Sequence, residues 1–158
     1  MLRRMGWIIP LLGASAGLAG DTALDRGTMK GIKAVGVIID QLPQEFPREG
    51  VTAEMLQTRL SERLRDANIT VDPAAKEFVG LRLTSVRANR GPYAVCIGIG
   101  LYQPVTLVRD PTMRAAPQTW EIETVLMADP KVLYRAAMES VDDLATRFVT
   151  AYRSVNPQ

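Results

Sequence analysis

The segment 77–89, EFVGLRLTSVRAN, alternates in polarity. Val79, Leu81, Leu83 and Ser85 fall on one side of an extended chain, and Gly80, Arg82, Thr84 and Val86 on the other. Successive side chains of a strand point to opposite faces, so the pattern predicts a strand with one face in a core and one open. Such strands belong to antiparallel sheets covered on one side only. A chain holding this segment must therefore supply neighbouring strands, and a second layer for the inner face.

The neighbours are readable. Arg90-Gly91-Pro92 predicts a turn, and YAVCIGIGLY, residues 93–102, a second strand whose alternation is in size. Tyr93, Val95, Ile97, Ile99 and Leu101 form a bulky row, while Ala94, Cys96, Gly98, Gly100 and Tyr102 form a mostly small one. Glycines within a strand mark the close approach of something else. The small row is thus expected to face the helices or a tightly packed neighbour, with Cys96 serving as a small hydrophobe. The Gly98-x-Gly100 pair is no nucleotide loop, because position 103 holds Gln and the chain stays extended through Pro104.

Residues 32–40, IKAVGVIID, read as a buried strand, and 41–50, with two prolines and Gly50, as a loop. Thr52 is placed to cap a helix that ends near Asn68, with Met55, Leu56, Leu60, Leu64 and Ala67 on one side. ITVD, closed by Pro73, reads as a short strand, and 109–117 as a loop. QTWEIETVLMA predicts a strand with Trp120, Ile122, Thr124 and Leu126 on one side. Asp129-Pro130 opens a final helix whose stripe is Leu133, Ala137, Val141, Leu144, Phe148 and Tyr152. The order β-α-β-β-β-β-α predicts an α+β two-layer sandwich, with two helices on one face of a mixed, mostly antiparallel sheet. Strands one and two run parallel through a right-handed crossover, and strands two to five are expected to alternate in direction.

Residues 1–19 have the layout of a signal peptide: Arg3 and Arg4, an apolar run from Met5 to Leu12, then small residues through Ala19. The run holds Pro10 and falls short of the roughly 20 residues that a spanning helix needs, so an uncleaved anchor is the alternative rather than the first reading. Residues 20–31 read as a flexible lead-in, and 32–158 as one α+β domain. The expected location is periplasmic or otherwise extracytoplasmic, with the chain soluble once its leader is removed. Of the 158 residues, 19 are basic and 17 acidic, and Arg3 and Arg4 account for the whole excess. Without a positive surplus to displace counterions, nucleic acid is not an expected partner.

The chain contains no histidine, which removes Ser-His-Asp and Cys-His catalysis and imidazole-bound zinc. A single cysteine cannot form an internal disulfide or a redox pair. Glu121 with Glu123, and Asp142 with Asp143, read as solvated faces, and Ser61, Ser85 and Ser140 sit in no nucleophile motif. No catalytic residue, cofactor or metal is expected. Loops carry recognition. The expected strand directions bring loops 41–50, 73–77 and 109–117 to one end of the sheet, opposite Arg90-Gly91-Pro92. That end would gather Phe46, Arg48, Lys76, Arg109, Met113 and Arg114, an apolar tip flanked by arginines suited to a protein partner, an acidic headgroup or a saccharide.

The succession GIKAVGVII, amphipathic helix, strand meander and a long closing helix ending DDLATRFVTAYRSVNP resembles small periplasmic envelope proteins. In element order it is similar to the LptE lipopolysaccharide-assembly lipoproteins and to the N-terminal domain of TolB. The resemblance implies a two-layer sandwich that serves a larger assembly. LptE-like members are lipidated at a cysteine after the leader, whereas this chain has Asp21 and its neighbours there, so neither that anchor nor any functional residue carries over. The expected role is a non-catalytic periplasmic binding or assembly accessory of an envelope complex, with envelope proteins as partners. Membrane contact would be indirect, or through an uncleaved leader. A carrier of a small apolar or lipid ligand is the alternative, and a hydrolase of unrecognised type a further one.

Overall fold

Alternation at 78–87 places this strand in the middle of the sheet. The computed structural model describes residues 20–87 and 89–157, so the signal-peptide reading of 1–19 lies outside it. In chain order the elements are α1 (Ala23–Gly27), β1 (Ala34–Ile39), α2 (Glu45–Arg48), α3 (Ala53–Asp66), β2 (Thr70–Val71), β3 (Phe78–Arg87), β4 (Tyr93–Tyr102), β5 (Val105–Leu107), β6 (Asp110–Ala115), β7 (Gln118–Ala128) and α4 (Leu133–Val155). A 3-10 turn, Pro130–Val132, leads into α4. Five strands form one sheet in the order β2-β1-β3-β4-β7, and β5 and β6 form a separate hairpin.

The two-layer α+β sandwich expected from the sequence is the observed fold. The inward row of β3 is Val79, Leu81 and Leu83, all buried, and that of β7 is led by Trp120 and Ile122. Helix α3 lays Leu56, Leu60 and Leu64 on this face, and α4 lays down Leu133, Ala137, Val141, Leu144, Phe148 and Ala151. The Phe148 ring meets Trp120 edge-on, with centroids 5.3 Å apart. Thr52 caps α3 as expected, its Oγ1 accepting the Met55 N–H at 3.2 Å. The helices are tied to each other by Arg59, which donates from Nε and Nη2 to the two Asp142 oxygens at 2.8 and 2.6 Å.

Strand direction departs from expectation at one place. Both β2 and β3 run parallel to β1, on its opposite sides, so β2 and β3 do not alternate. The connection 72–77 passes the start of β1 instead of turning back. The Asp72 N–H donates to the Val35 carbonyl at 3.0 Å, and the Gly36 N–H to that of Glu77 at 2.8 Å. This crossing reverses the ends at which the later loops fall.

Residues 20–31 are not a flexible lead-in. Thr22 and Asp25 cap α1 reciprocally. The Asp21 carboxylate accepts from the Trp120 indole Nε1 at 2.7 Å and from Arg26 at 2.7 and 2.6 Å. Met29 is fully buried, and Asn156 at the end of α4 holds this segment by accepting the Gly31 N–H and donating to the Met29 carbonyl. The segment is fixed because Met29 has a place in the core and Asp21 satisfies a buried indole.

The small row of β4 is also placed otherwise. Tyr93, Val95, Ile97, Ile99 and Leu101 face the helices, and Ala94, Cys96, Gly98 and Gly100 point away from them. The close neighbours of the glycines are side chains of adjacent strands. A Cβ on Gly80 would sit 2.8 Å from the Tyr102 ring, one on Gly98 3.0 Å from Glu123, and one on Gly100 2.3 Å from the Gln118 amide. The glycines let those side chains lie flat over the outer face.

Candidate docking surface

The residues expected to share one end of the sheet divide between two. Residues 89–92 mark the turn end, where β3 finishes and β4 begins. Helix α2 lies at this end, because the Ser85 hydroxyl donates to the Glu45 carboxylate. Phe46 is fully buried there and belongs to the core; Arg48 is exposed beside it. Lys76, Arg109, Met113 and Arg114 lie at the opposite end, where β4 runs out, roughly 30 Å away along a ten-residue strand. The geometry brings Arg109, Met113 and Arg114 together and separates them from Phe46 and Arg48.

What gathers them is a hairpin in place of the expected loop. Gln103 fixes its base, its Nε2 donating to the Thr28 carbonyl at 3.1 Å and to the Thr119 hydroxyl at 2.7 Å. Beyond that base β5 and β6 pair with each other and pack substantially on no other described element. Val105 lies opposite Ala115 and Thr106 opposite Arg114. By alternation, Val105, Met113 and Ala115 therefore share one face, and Thr106, Thr112 and Arg114 the other; the register then shifts, so that Leu107 lies opposite Asp110. Val108 and Arg109 form the tip, with Val108 fully exposed and Met113 52 % exposed. The hairpin is an arm that leaves Val108 and Met113 exposed among the described residues, with Val105 and Leu107 half-buried.

A second uncovered surface lies at the turn end, on the sheet face opposite the helices. Cross-strand register aligns Val86, Ala94 and Met127 in one row and Thr84, Cys96 and Val125 in the next. Val86, Val125 and Met127 are 74 %, 73 % and 64 % exposed. With the small β4 residues between taller neighbours, these rows form an apolar groove of about 200 Å³ lined by Thr84, Val86, Ala94, Cys96 and Val125. Toward the arm end the face turns polar. Arg82 donates to Asp40 at 3.1 Å and to the Tyr102 hydroxyl at 3.3 Å, and Glu123 flanks Gly98 across from it.

Cys96 on the groove floor is held as a neutral thiol. Burial, and then the Glu123 carboxylate 3.8 Å from its Sγ, push its pKa up. A thiol so placed is a poor nucleophile and a poor redox centre. Sequence reasoning passed over Val105, Leu107, Val108, Val86, Val125 and Met127. The signal was present as outward parity on β3 and β7 and as alternation in VTLVRDPTMRA.

No family model matches this chain, and no curated protein matches it. Among solved structures it is similar to PelC from Paraburkholderia phytofirmans, solved as a dodecamer, at 10 % identity and a TM-score of 0.41 over 71 % of this chain and 82 % of that one. It is also similar to a minor lipoprotein from Acinetobacter baumannii, at 9 % identity and a TM-score of 0.34 over 79 % and 97 %. Both scores are too low to carry a fold or a function across, and they leave the resemblance to LptE and TolB untested.

Proposed function

We propose that this chain is a non-catalytic assembly component of a bacterial envelope complex, and that the β5–β6 arm is the element by which it docks. One observation carries the reading: the arm leaves Val108 and Met113 exposed and packs substantially on no other described element. A two-stranded hairpin is marginal alone in water. Each large apolar side chain fully buried on docking contributes about 1.5–3 kcal/mol, so covering Val108 and Met113 helps to hold the arm in place. Arg109 and Arg114 beside them give the composition of a protein interface, an apolar centre with an arginine rim. The leader layout supports export, and among the described residues no helix is long and apolar enough to cross a membrane.

A ligand carrier would need room between the layers. That space is occupied by Leu56, Leu60, Leu64, Ile97, Ile99 and Phe148, all at or near zero exposure. The test compares the intact chain with one whose residues 105–115 are replaced by a short Gly-Ser turn. Both are recovered from envelope extract and read by mass spectrometry. The reading expects proteins at stoichiometric ratio with the intact chain, their loss with the armless one, and an unchanged Tm. An identical set of partners on both chains would refute it.

A further inference from the structure

Gly20 and Glu121 hold a place for a charge that the uncut chain does not carry. The Glu121 N–H donates to the Gly20 carbonyl at 3.1 Å. Gly20 has φ +87°, and a Cβ built there would run into the Cγ and the carbonyl oxygen of Glu121. Position 20 therefore needs glycine, whose bare backbone fits against the Glu121 side chain. One residue further on, Asp21 is locked to Trp120 and Arg26. Glu121 is half-buried, and its carboxylate accepts the Gln118 amide N–H at 2.6 Å. Among the described residues no lysine or arginine pairs with it, and the nearby Arg26 is already engaged by Asp21.

We infer that the leader is removed between Ala19 and Gly20, and that the α-ammonium freed at Gly20 is the cationic partner of Glu121. The inference rests on the reading of residues 1–19 as an export leader. Gly17-Leu18-Ala19 gives the small-x-small pattern that a leader-removing endopeptidase reads, and so does Ala14-Ser15-Ala16. Sequence alone leaves the two cuts equal, and the fold separates them. Water adds across the Ala19–Gly20 peptide bond, the new carboxylate leaves with Ala19, and the Gly20 amine takes up a proton. That charge sits one bond from a Cα packed on the Glu121 side chain, within reach of its carboxylate. A cut after Ala16 puts the charge on Gly17 instead and leaves Glu121 without a cation. In the uncut chain Gly20 offers only a neutral amide. Removal of the leader thus completes an ion pair at the outer edge of β7 and ties the first residue of the mature chain to the sheet.

The test has two arms. In the first, the full chain with its leader is expressed in a bacterium, and the protein is recovered from the periplasmic fraction and read by N-terminal sequencing and intact mass. A start at Gly20 is expected. A start at Gly17 or at any other residue overturns the inference and leaves export standing, whereas an uncut chain held in the cytosol removes the export reading with it. The second arm compares the recovered protein with its Glu121→Gln variant, which keeps an acceptor for Gln118. At pH 6.5 the variant should melt about 2–3 °C lower, the size expected of a partly exposed ion pair. An α-ammonium has an unfolded pKa of about 7.7–8, and a carboxylate beside it raises the folded value. Its contribution is full below the unfolded value and is lost as pH rises through the folded one, so the gap in Tm should close toward about pH 10. The other charged groups facing the pair, Asp21, Arg26 and Arg147 from α4, stay charged across this range, and Tyr102, which reaches it through Gln118, is common to both chains. A gap that is absent at pH 6.5, or that persists unchanged to pH 10, overturns the pairing even where the chain begins at Gly20.

Discussion

Asp21→Ala should cost this protein about 2–3 kcal/mol, although the residue stands at the edge of the sequence region expected to be flexible. The magnitude follows from what the carboxylate holds. Trp120 is 1 % exposed, and its indole N–H donates to Asp21. Removing the acceptor leaves a buried donor without a partner, which costs about 1–3 kcal/mol. The bidentate pair with Arg26 adds less. The arginine side chain is 36 % exposed, and a pair so placed contributes roughly 0.5–1 kcal/mol after solvent screening. For a domain of this size each kcal/mol moves Tm by about 3 °C, so a fall of about 6–9 °C is expected by circular dichroism at pH 7. Asp21→Asn keeps an acceptor for the indole and loses only the charge, so its fall should be about a third as large.

The pH dependence separates this account from simple loss of packing. The Arg26 hydrogen bonds hold the Asp21 carboxyl below its ordinary value, outweighing burial, and the Trp120 bond adds to the effect. A carboxylate with a folded-state pKa below the unfolded one stabilises the fold fully above the unfolded value, about 3.9. That contribution is lost as pH falls through the folded value. The gap in Tm between wild type and Asp21→Asn should therefore be full at pH 6 and close progressively below about pH 4. A gap that is absent at pH 6, or that stays constant down to pH 2, would refute the reasoning and return residues 20–31 to a loose tail.

Other perturbations test other layers. Phe148→Ala removes a fully buried ring packed on Trp120 and should cost about 3–5 kcal/mol, read as a shift in urea midpoint at constant m. Gly80→Ala should cost roughly 1–2 kcal/mol by displacing the Tyr102 ring from its stack on Phe78, while Gly100→Ala, which meets only the movable end of Gln118, should cost less than about 1 kcal/mol; thermal melts of the two compare them directly. Cys96, its thiol pKa raised by burial and then by Glu123, should react with iodoacetamide at pH 7.5 many times more slowly than in the urea-unfolded chain, measured by mass spectrometry.

Periodicity carried much of this architecture into view. The polarity alternation of 77–89 and the apolar stripes of the two long helices are local patterns, and each produced its element where expected. Direction was harder. The second strand has only two residues, and nothing in DPAAKE says whether the chain turns back or crosses the start of β1. Two backbone hydrogen bonds to Val35 and Glu77 decide it, and the crossing moved Arg109, Met113 and Arg114 away from Arg48. The arm was hidden for a different reason. Its tip is Val108-Arg109, without the Asn or Gly that marks a tight hairpin, and Pro111 argues against a strand. Asp21 was hidden by distance, since its indole partner lies 99 residues along the chain.

The placement of polar and apolar groups bears on what kind of protein this is. Among the described residues the charged groups that converge are engaged with one another: Asp21 with Arg26 and the Trp120 indole, Arg59 with Asp142, Arg82 with Asp40 and Tyr102. Such closed sets fix elements to each other. Large apolar side chains are exposed on the arm, Val108 and Met113, and at the turn end of the outer face, Val86, Val125 and Met127. Exposed apolar rows on a strand cost solubility unless something covers them. Their presence at two separated places, where no buried side-chain polar atom among the described residues lacks a partner, supports the proposed assembly reading.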